Sequence, residues 1–125
     1  MPASLTRTRR WLPLALYMGV IFYLSSQRHP LPTLTARVSD KVLHGVEYSG
    51  LAVLWLRAWL GEGLDWPRAA LLALVLTSGY GASDEWHQSF VPTRTATPRD
   101  VAIDGIGIAL AALAATRTRL RERTA

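Results

Sequence analysis

The sequence predicts an all-α fold, an integral membrane bundle of four transmembrane helices, and three observations lead there. Half of the 125 residues are hydrophobic and 18% are charged, yet the two kinds are segregated. The apolar residues fall in four blocks, with most charges between the blocks or at their edges. Arginines flank the set: Arg7, Arg9 and Arg10 precede the first block, and Arg117, Arg119, Arg121 and Arg123 follow the last. Finally, each block approaches the ~20 residues that span a bilayer once its polar ends are counted as embedded. The chain, 1–125, reads as one domain with helices over about residues 11–27, 40–60, 67–90 and 98–117.

The first block, W-L-P-L-A-L-Y-M-G-V-I-F-Y-L-S-S-Q, lies between Arg10 and Arg28. No small-x-small cleavage signal follows it, so a retained transmembrane helix is expected rather than a leader, with Pro13 tolerated in the first turn. The Ser25-Ser26-Gln27 end is either a polar interface or part of a site. Pro30 and Pro32 then break helix, and Ser39 offers an N-cap.

The second block places Asp40, His44 and Glu47 at i, i+4 and i+7 on one helical face, which Tyr48 and Leu51 continue. Arg57 can snorkel at its far end with Trp55 and Trp59 as interfacial anchors, and Gly45 with Ser49 forms a small-xxx-small pair. After the connection 61–66, Pro67 is expected at the first helical position of the third block. Asp84, Glu85 and Gln88 share one broad face near that block's end. The loop V-P-T-R-T-A-T leads to Pro98, with Thr97 as N-cap, and the fourth block carries Gly107, Ala111 and Ala115 four apart, a stripe suited to close helix contact.

Counting ~20 residues inward from Arg57, Arg68 and Arg117 brings Asp40, His44, Glu47, Asp84, Glu85, Gln88, Asp100 and Asp104 into one layer at one membrane face. Nine basic residues lie on the side of both termini and five on the other: Arg28, Arg37, Lys41, Arg94 and Arg99. The positive-inside rule then places both termini in the cytoplasm and the polar layer at the outer face. The net charge of +5 is concentrated at helix flanks, where anionic headgroups satisfy it, so membrane lipids are the expected partners and nucleic acid is not.

The chain has no Cys, which excludes disulfides, thiol nucleophiles and thiolate-ligated metals. Intramembrane ionisable groups mark a functional site by default. Several uses compete for this one. The carboxylates can be neutralised by Arg94, Arg99 and Lys41 as a structural network. Carboxylates with His44 or His87 can serve acid/base chemistry. Asp84, Glu85, Asp100 and Asp104 can hold a divalent metal through oxygen, although no zinc spacing is present and no cofactor is specified. The basic residues can instead bind a phosphate or carboxylate headgroup. No G-x-S-x-G elbow supports a serine nucleophile.

S-D-K-V-L-H-G-V-E-Y-S-G-L in the second block, D-E-W-H-Q-S-F-V-P-T-R-T ending the third and D-V-A-I-D-G-I-G in the fourth resemble the VanZ-like family of small bacterial membrane proteins. The I-F-Y-L-S-S-Q end of the first block resembles it too, so the likeness covers about residues 15–115. Asp40, Lys41, His44, Tyr48, Asp84, Glu85, Gln88, Arg94, Asp100 and Gly107 match the family's polar signature, and Asp104 stands where Asn or Asp is found. Thr93 stands where a Gly is common. The resemblance implies a multi-pass protein of the bacterial inner membrane, and the family's glycopeptide phenotype, lowered teicoplanin sensitivity, implies a link to the cell envelope.

The leading expectation is recognition of an envelope component, a lipid-linked cell-wall intermediate or a glycopeptide antibiotic, by Arg94 and its carboxylate neighbours at the outer leaflet. The alternative is an intramembrane enzyme acting on a lipid headgroup through the Asp/Glu/His cluster. A third class is a structural membrane partner. Whether the role is resistance or housekeeping is left open at this level.

Overall fold

A computed structural model describes residues 3–26, 40–91 and 98–124. They form four α-helices: α1 (Ala3–Ser26), α2 (Asp40–Gly61), α3 (Trp66–Gln88) and α4 (Pro98–Thr124). The all-α, four-helix expectation is met, and no strand is present among the described residues. Among those residues no helix is both long and apolar enough to cross a membrane.

Both outer helices exceed the expected bounds. α1 starts at Ala3 instead of about 11, and α4 runs to Thr124 instead of about 117. The arginine-rich flanks are good helix formers, so the helix outlasts the apolar block. In consequence Pro13 sits inside α1, not in its first turn. Its missing N–H removes one bond of the helical ladder there. The expected N-caps Ser39 and Thr97 lie outside the described residues, as does Gln27.

The α2–α3 turn is fixed by local chemistry. Gly63 has φ 93°, a left-handed conformation that favours glycine. Leu64 N–H donates to Trp59 O at 3.2 Å and Gly63 N–H to Leu60 O at 3.1 Å, which together make a Schellman stop. Asp65 then caps α3, accepting from Arg68 N–H at 3.2 Å. Pro67 is the second helical residue, one later than its expected place, because Trp66 takes the first.

α2 is the central helix, packing against each of the other three, while α1 and α4 scarcely meet. One core cluster joins α2, α3 and α4 through Ala52, Leu56, Ala69, Ala73, Ala109 and Leu113. A second joins α1 to α2 through Leu14, Ile21, Tyr48, Leu51 and Ala58. Alanine on facing helices lets the backbones approach closely. Gly45 does the same against α4, its missing Cβ leaving room for the Ile108 side chain. Its expected pair-mate Ser49 turns its hydroxyl back to Gly45 O at 2.6 Å.

Two face assignments are corrected. Gly107, Ala111 and Ala115 do not meet a neighbouring helix; they are exposed, and α4 packs through Gly105, Ala109 and Leu113. Small residues occur on both sides of α4, so its apolar contrast could not choose between them. Trp55 and Trp59 are half-buried, not interfacial anchors. Trp11 meets both edge-on, with centroids 6.0 and 5.2 Å away, a geometry favoured by the ring quadrupoles.

Candidate functional site

The end of the bundle formed by the end of α1, the start of α2 and the end of α3 holds a chain of buried polar side chains. Tyr48 O–H donates to Asp84 Oδ2 at 2.6 Å, a short bond to a carboxylate. Gln88 Nε2 lies 3.4 Å from that same oxygen and 3.4 Å from Ser25 Oγ. Thus α1, α2 and α3 are tied through Ser25, Gln88, Asp84 and Tyr48, each of them buried, with Asp84 only 5% exposed. Asp84 and Gln88 are one turn apart on α3, which is why one face delivers both.

Glycines hold the phenol ring in place. A Cβ on Gly81 of α3 would sit 3.6 Å from the Tyr48 ring, and one on Gly105 of α4 would sit 3.4 Å from it. The ring therefore occupies a slot between two bare backbones. His44, one turn before Tyr48, lies nearly parallel to it with centroids 5.9 Å apart. Its Nδ1 is 3.8 Å from Glu47 Oε2. Two further tyrosines bolt this end together: Tyr17 O–H donates to Glu47 O at 2.8 Å, and Tyr80 O–H to Met18 O at 2.6 Å.

Glu85 diverges from Asp84, as neighbours on a helix do at ~100° per residue. It lines a lateral cleft of about 220 Å³ between α3 and α4. Tyr48, Thr77, Ser78, Gly81, Gly105 and Ala109 also border that cleft. Tyr48 is thus shared, its hydroxyl in the polar chain and its ring in the cleft wall. A third polar contact lies further out, where Ser26 Oγ is 3.1 Å from His87 Nε2 and donates to Phe22 O at 2.8 Å.

The expected site residues divide into two groups. Tyr48, Asp84 and Gln88 are brought into direct contact, with His44 stacked on the first and Glu85 on the adjoining cleft. Asp40 and Lys41 open α2, and Asp100 and Asp104 fall in the first two turns of α4 at this same end; their side chains, like the whole of Arg94, lie outside the described residues. Ser25 joins this buried chain through Gln88, so at that residue the Ser25-Ser26-Gln27 end faces it. Thr77 was not foreseen. The signal for it was faint: a hydroxyl one helical step from Gly81 on an otherwise apolar face.

Asp84 and Glu85 do not converge, and among the described residues no three His, Asp or Glu side chains form a group able to hold a metal. What the arrangement offers chemically is a desolvated carboxylate held by neutral donors, next to a cleft with a second carboxylate and two hydroxyls.

The opposite end is built differently. Arg7 grips Glu62 with both arms, Nε to Oε1 at 3.1 Å and Nη2 to Oε2 at 2.8 Å, and Trp11 Nε1 donates to Oε1 at 2.9 Å. Arg10 donates to Gly61 O. These donors, Arg7 first, hold the Glu62 carboxyl down at about 2. Arg117 lies 4.8 Å over the Trp66 ring, a cation–π contact between α3 and α4.

The family model described as VanZ/LLP1 matches residues 6–119. No curated protein and no solved structure matches the chain.

Proposed function

This chain belongs to the VanZ/LLP1 family, and from that premise we propose that it is a membrane-embedded protein that recognises an amphipathic component of the cell envelope. The single observation that carries the reading is the buried Ser25, Gln88, Asp84 and Tyr48 chain meeting a lateral cleft at one end of the bundle. A buried polar network costs stability unless each member is satisfied, and it specifies geometry where it is kept.

Two features support the membrane setting. Large apolar side chains are exposed on every helix, including Leu12, Leu16 and Val20 of α1, Val46 of α2, Leu71 and Val75 of α3 and Leu110 of α4. A surface of that kind marks contact with an apolar medium or partner. Each helix has at least 22 residues, so at 1.5 Å per residue each exceeds ~30 Å. The mean apolarity of the two outer helices is lowered by their charged ends, since Arg7, Arg9 and Arg10 lie inside α1 and Arg117, Arg119, Arg121 and Arg123 inside α4. The arginine-rich end lies on the cytoplasmic side by the positive-inside rule, and the polar site lies at the outer leaflet.

A cleft of about 220 Å³ is smaller than the ~300–1,000 Å³ that holds a drug-sized molecule. It favours an amphiphile that offers a narrow chain over a glycopeptide antibiotic entering whole. Contribution to glycopeptide resistance then follows from contact with an envelope lipid and not from capture of the drug.

The test uses the full chain expressed in a bacterial host. It should stay in the membrane pellet after an alkaline carbonate wash, and native mass spectrometry of the detergent-purified protein should find an envelope lipid bound. Asp84→Asn and Tyr48→Phe should retain the helical fold and lose that lipid. Release by carbonate, or lipid retained in both variants, rejects the reading.

A further inference from the structure

The cleft between α3 and α4 has a direction. On α3 its wall is Leu74, then Thr77 and Ser78, then Gly81, then Glu85, residues three or four apart that form one stripe. From Leu74 to Glu85 the helix rises ~16 Å. Drawn out along that stripe, a volume of about 220 Å³ makes a narrow slot, suited to one extended chain and not to a bulkier group.

The two ends of the stripe differ in chemistry. Leu74 on α3 and Ala109 on α4 make the inner end apolar, while Glu85 stands at the outer end, half-buried. Helical side chains tilt towards the helix N-terminus, so Glu85 leans back along α3 towards the cleft and not off the end of the bundle. Glu85 is the one charged residue among the described residues lining it.

From this geometry we infer that the α3–α4 cleft binds a single-chain amphiphile with a primary ammonium head, its ammonium on Glu85 and its chain running past Gly81 and Ser78 to Leu74. Charge complementarity selects the head, because a carboxylate bordering an apolar slot favours a cation that donates hydrogen bonds and disfavours a phosphate or sulfate. The narrow section selects the chain. This rests on the membrane-embedded recognition proposed above and deepens it by naming the chemical class of the ligand.

The experiment uses the full chain in phosphatidylcholine nanodiscs, with empty nanodiscs as the reference for partitioning. Four probes are titrated and bound probe is measured: dodecylammonium, dodecanol, dodecyl phosphate and ethylammonium. Dodecylammonium should bind at least about tenfold more tightly than dodecanol, the range of a charge-assisted hydrogen bond, and dodecyl phosphate and ethylammonium should show no saturable binding. Glu85→Gln should bring dodecylammonium down to the dodecanol level without changing dodecanol. Ser78→Leu, which fills the slot without touching the carboxylate, should abolish both. Equal binding of dodecanol and dodecylammonium overturns the inference, as does unchanged binding in Ser78→Leu. Those outcomes leave the proposed function standing if the envelope lipid still depends on Asp84 and Tyr48. Loss of that dependence with dodecylammonium still bound at Glu85 defeats the proposed function alone.

Discussion

The two ends of this bundle each hold a carboxylate, and they hold it in opposite ways. At the α2–α3 turn, Glu62 is gripped by both arms of Arg7 with Trp11 and Arg10 close by, and the Arg7 side chain is 70% exposed. At the other end Asp84 is buried, and the donors on it are the Tyr48 hydroxyl and the Gln88 amide. The first is a charge-paired clasp in a wet setting, which fastens α1 to the turn and loses strength in salt. The second replaces water by neutral dipoles fixed on α2 and α3, so its geometry is set in advance of any ligand. Both are carboxylates; exposure to solvent decides which is held by charge and which by neutral donors.

That contrast can be broken by substitution. The largest effect belongs to Tyr48→Ala, which empties the slot between Gly81 and Gly105 and takes the short donor from Asp84. A loss of about 3–5 kcal/mol is expected, as for other buried aromatic truncations, measured by denaturation of the detergent-purified protein. Asp84→Ala comes next, at about 1–3 kcal/mol, because the Tyr48 hydroxyl stays buried without its acceptor. If Asp84→Ala is neutral while Glu62→Ala is not, the roles assigned to the two ends are reversed.

Gly50→Ala is a smaller probe. The added Cβ meets the Tyr17 hydroxyl, which donates to Glu47 O at 2.8 Å. Displacing it should cost about 1 kcal/mol, one net hydrogen bond, and Gly50→Ala combined with Tyr17→Phe should cost less than the two changes summed.

The smallest effect lies at Glu62 and is read through pH. Its folded pKa of about 2 lies below the usual 4.5 because of Arg7, Trp11 and Arg10. A depressed carboxylate pKa contributes stability that is fully present above 4.5 and is lost as pH falls towards 2. The stability difference between the wild type and Glu62→Gln should therefore be constant from pH 7 to 5 and shrink from 4.5 to 2. A difference that does not change across that lower window would show that Arg7 does not hold the carboxylate in solution.

Some of this was open to reading from the chain itself. Four apolar blocks with charged borders give four helices, and Pro and Gly around residues 61–67 place the turn, because these signals act within a few residues. The grouping of Tyr48, Asp84 and Gln88 was legible as well, since helical spacing puts Asp84 and Gln88 on one face and the family pattern includes all three. The inward face of α4 was not. Gly105, Ala109 and Leu113 compete with Gly107, Ala111 and Ala115, and both stripes are apolar and mostly small, so only the position of α2 chooses between them.

The sequence by itself determined the helical class, the family and the separation of an arginine-rich end from an acid-rich one, because periodicity and charge are local properties. The tertiary structure alone decided that the Tyr48 ring lies between Gly81 and Gly105, that Trp55 and Trp59 turn inwards onto Trp11, and that Asp84 and Glu85 face different surroundings. Each of these is a relation between helices, fixed by how closely two backbones can approach, and no single segment contains that distance.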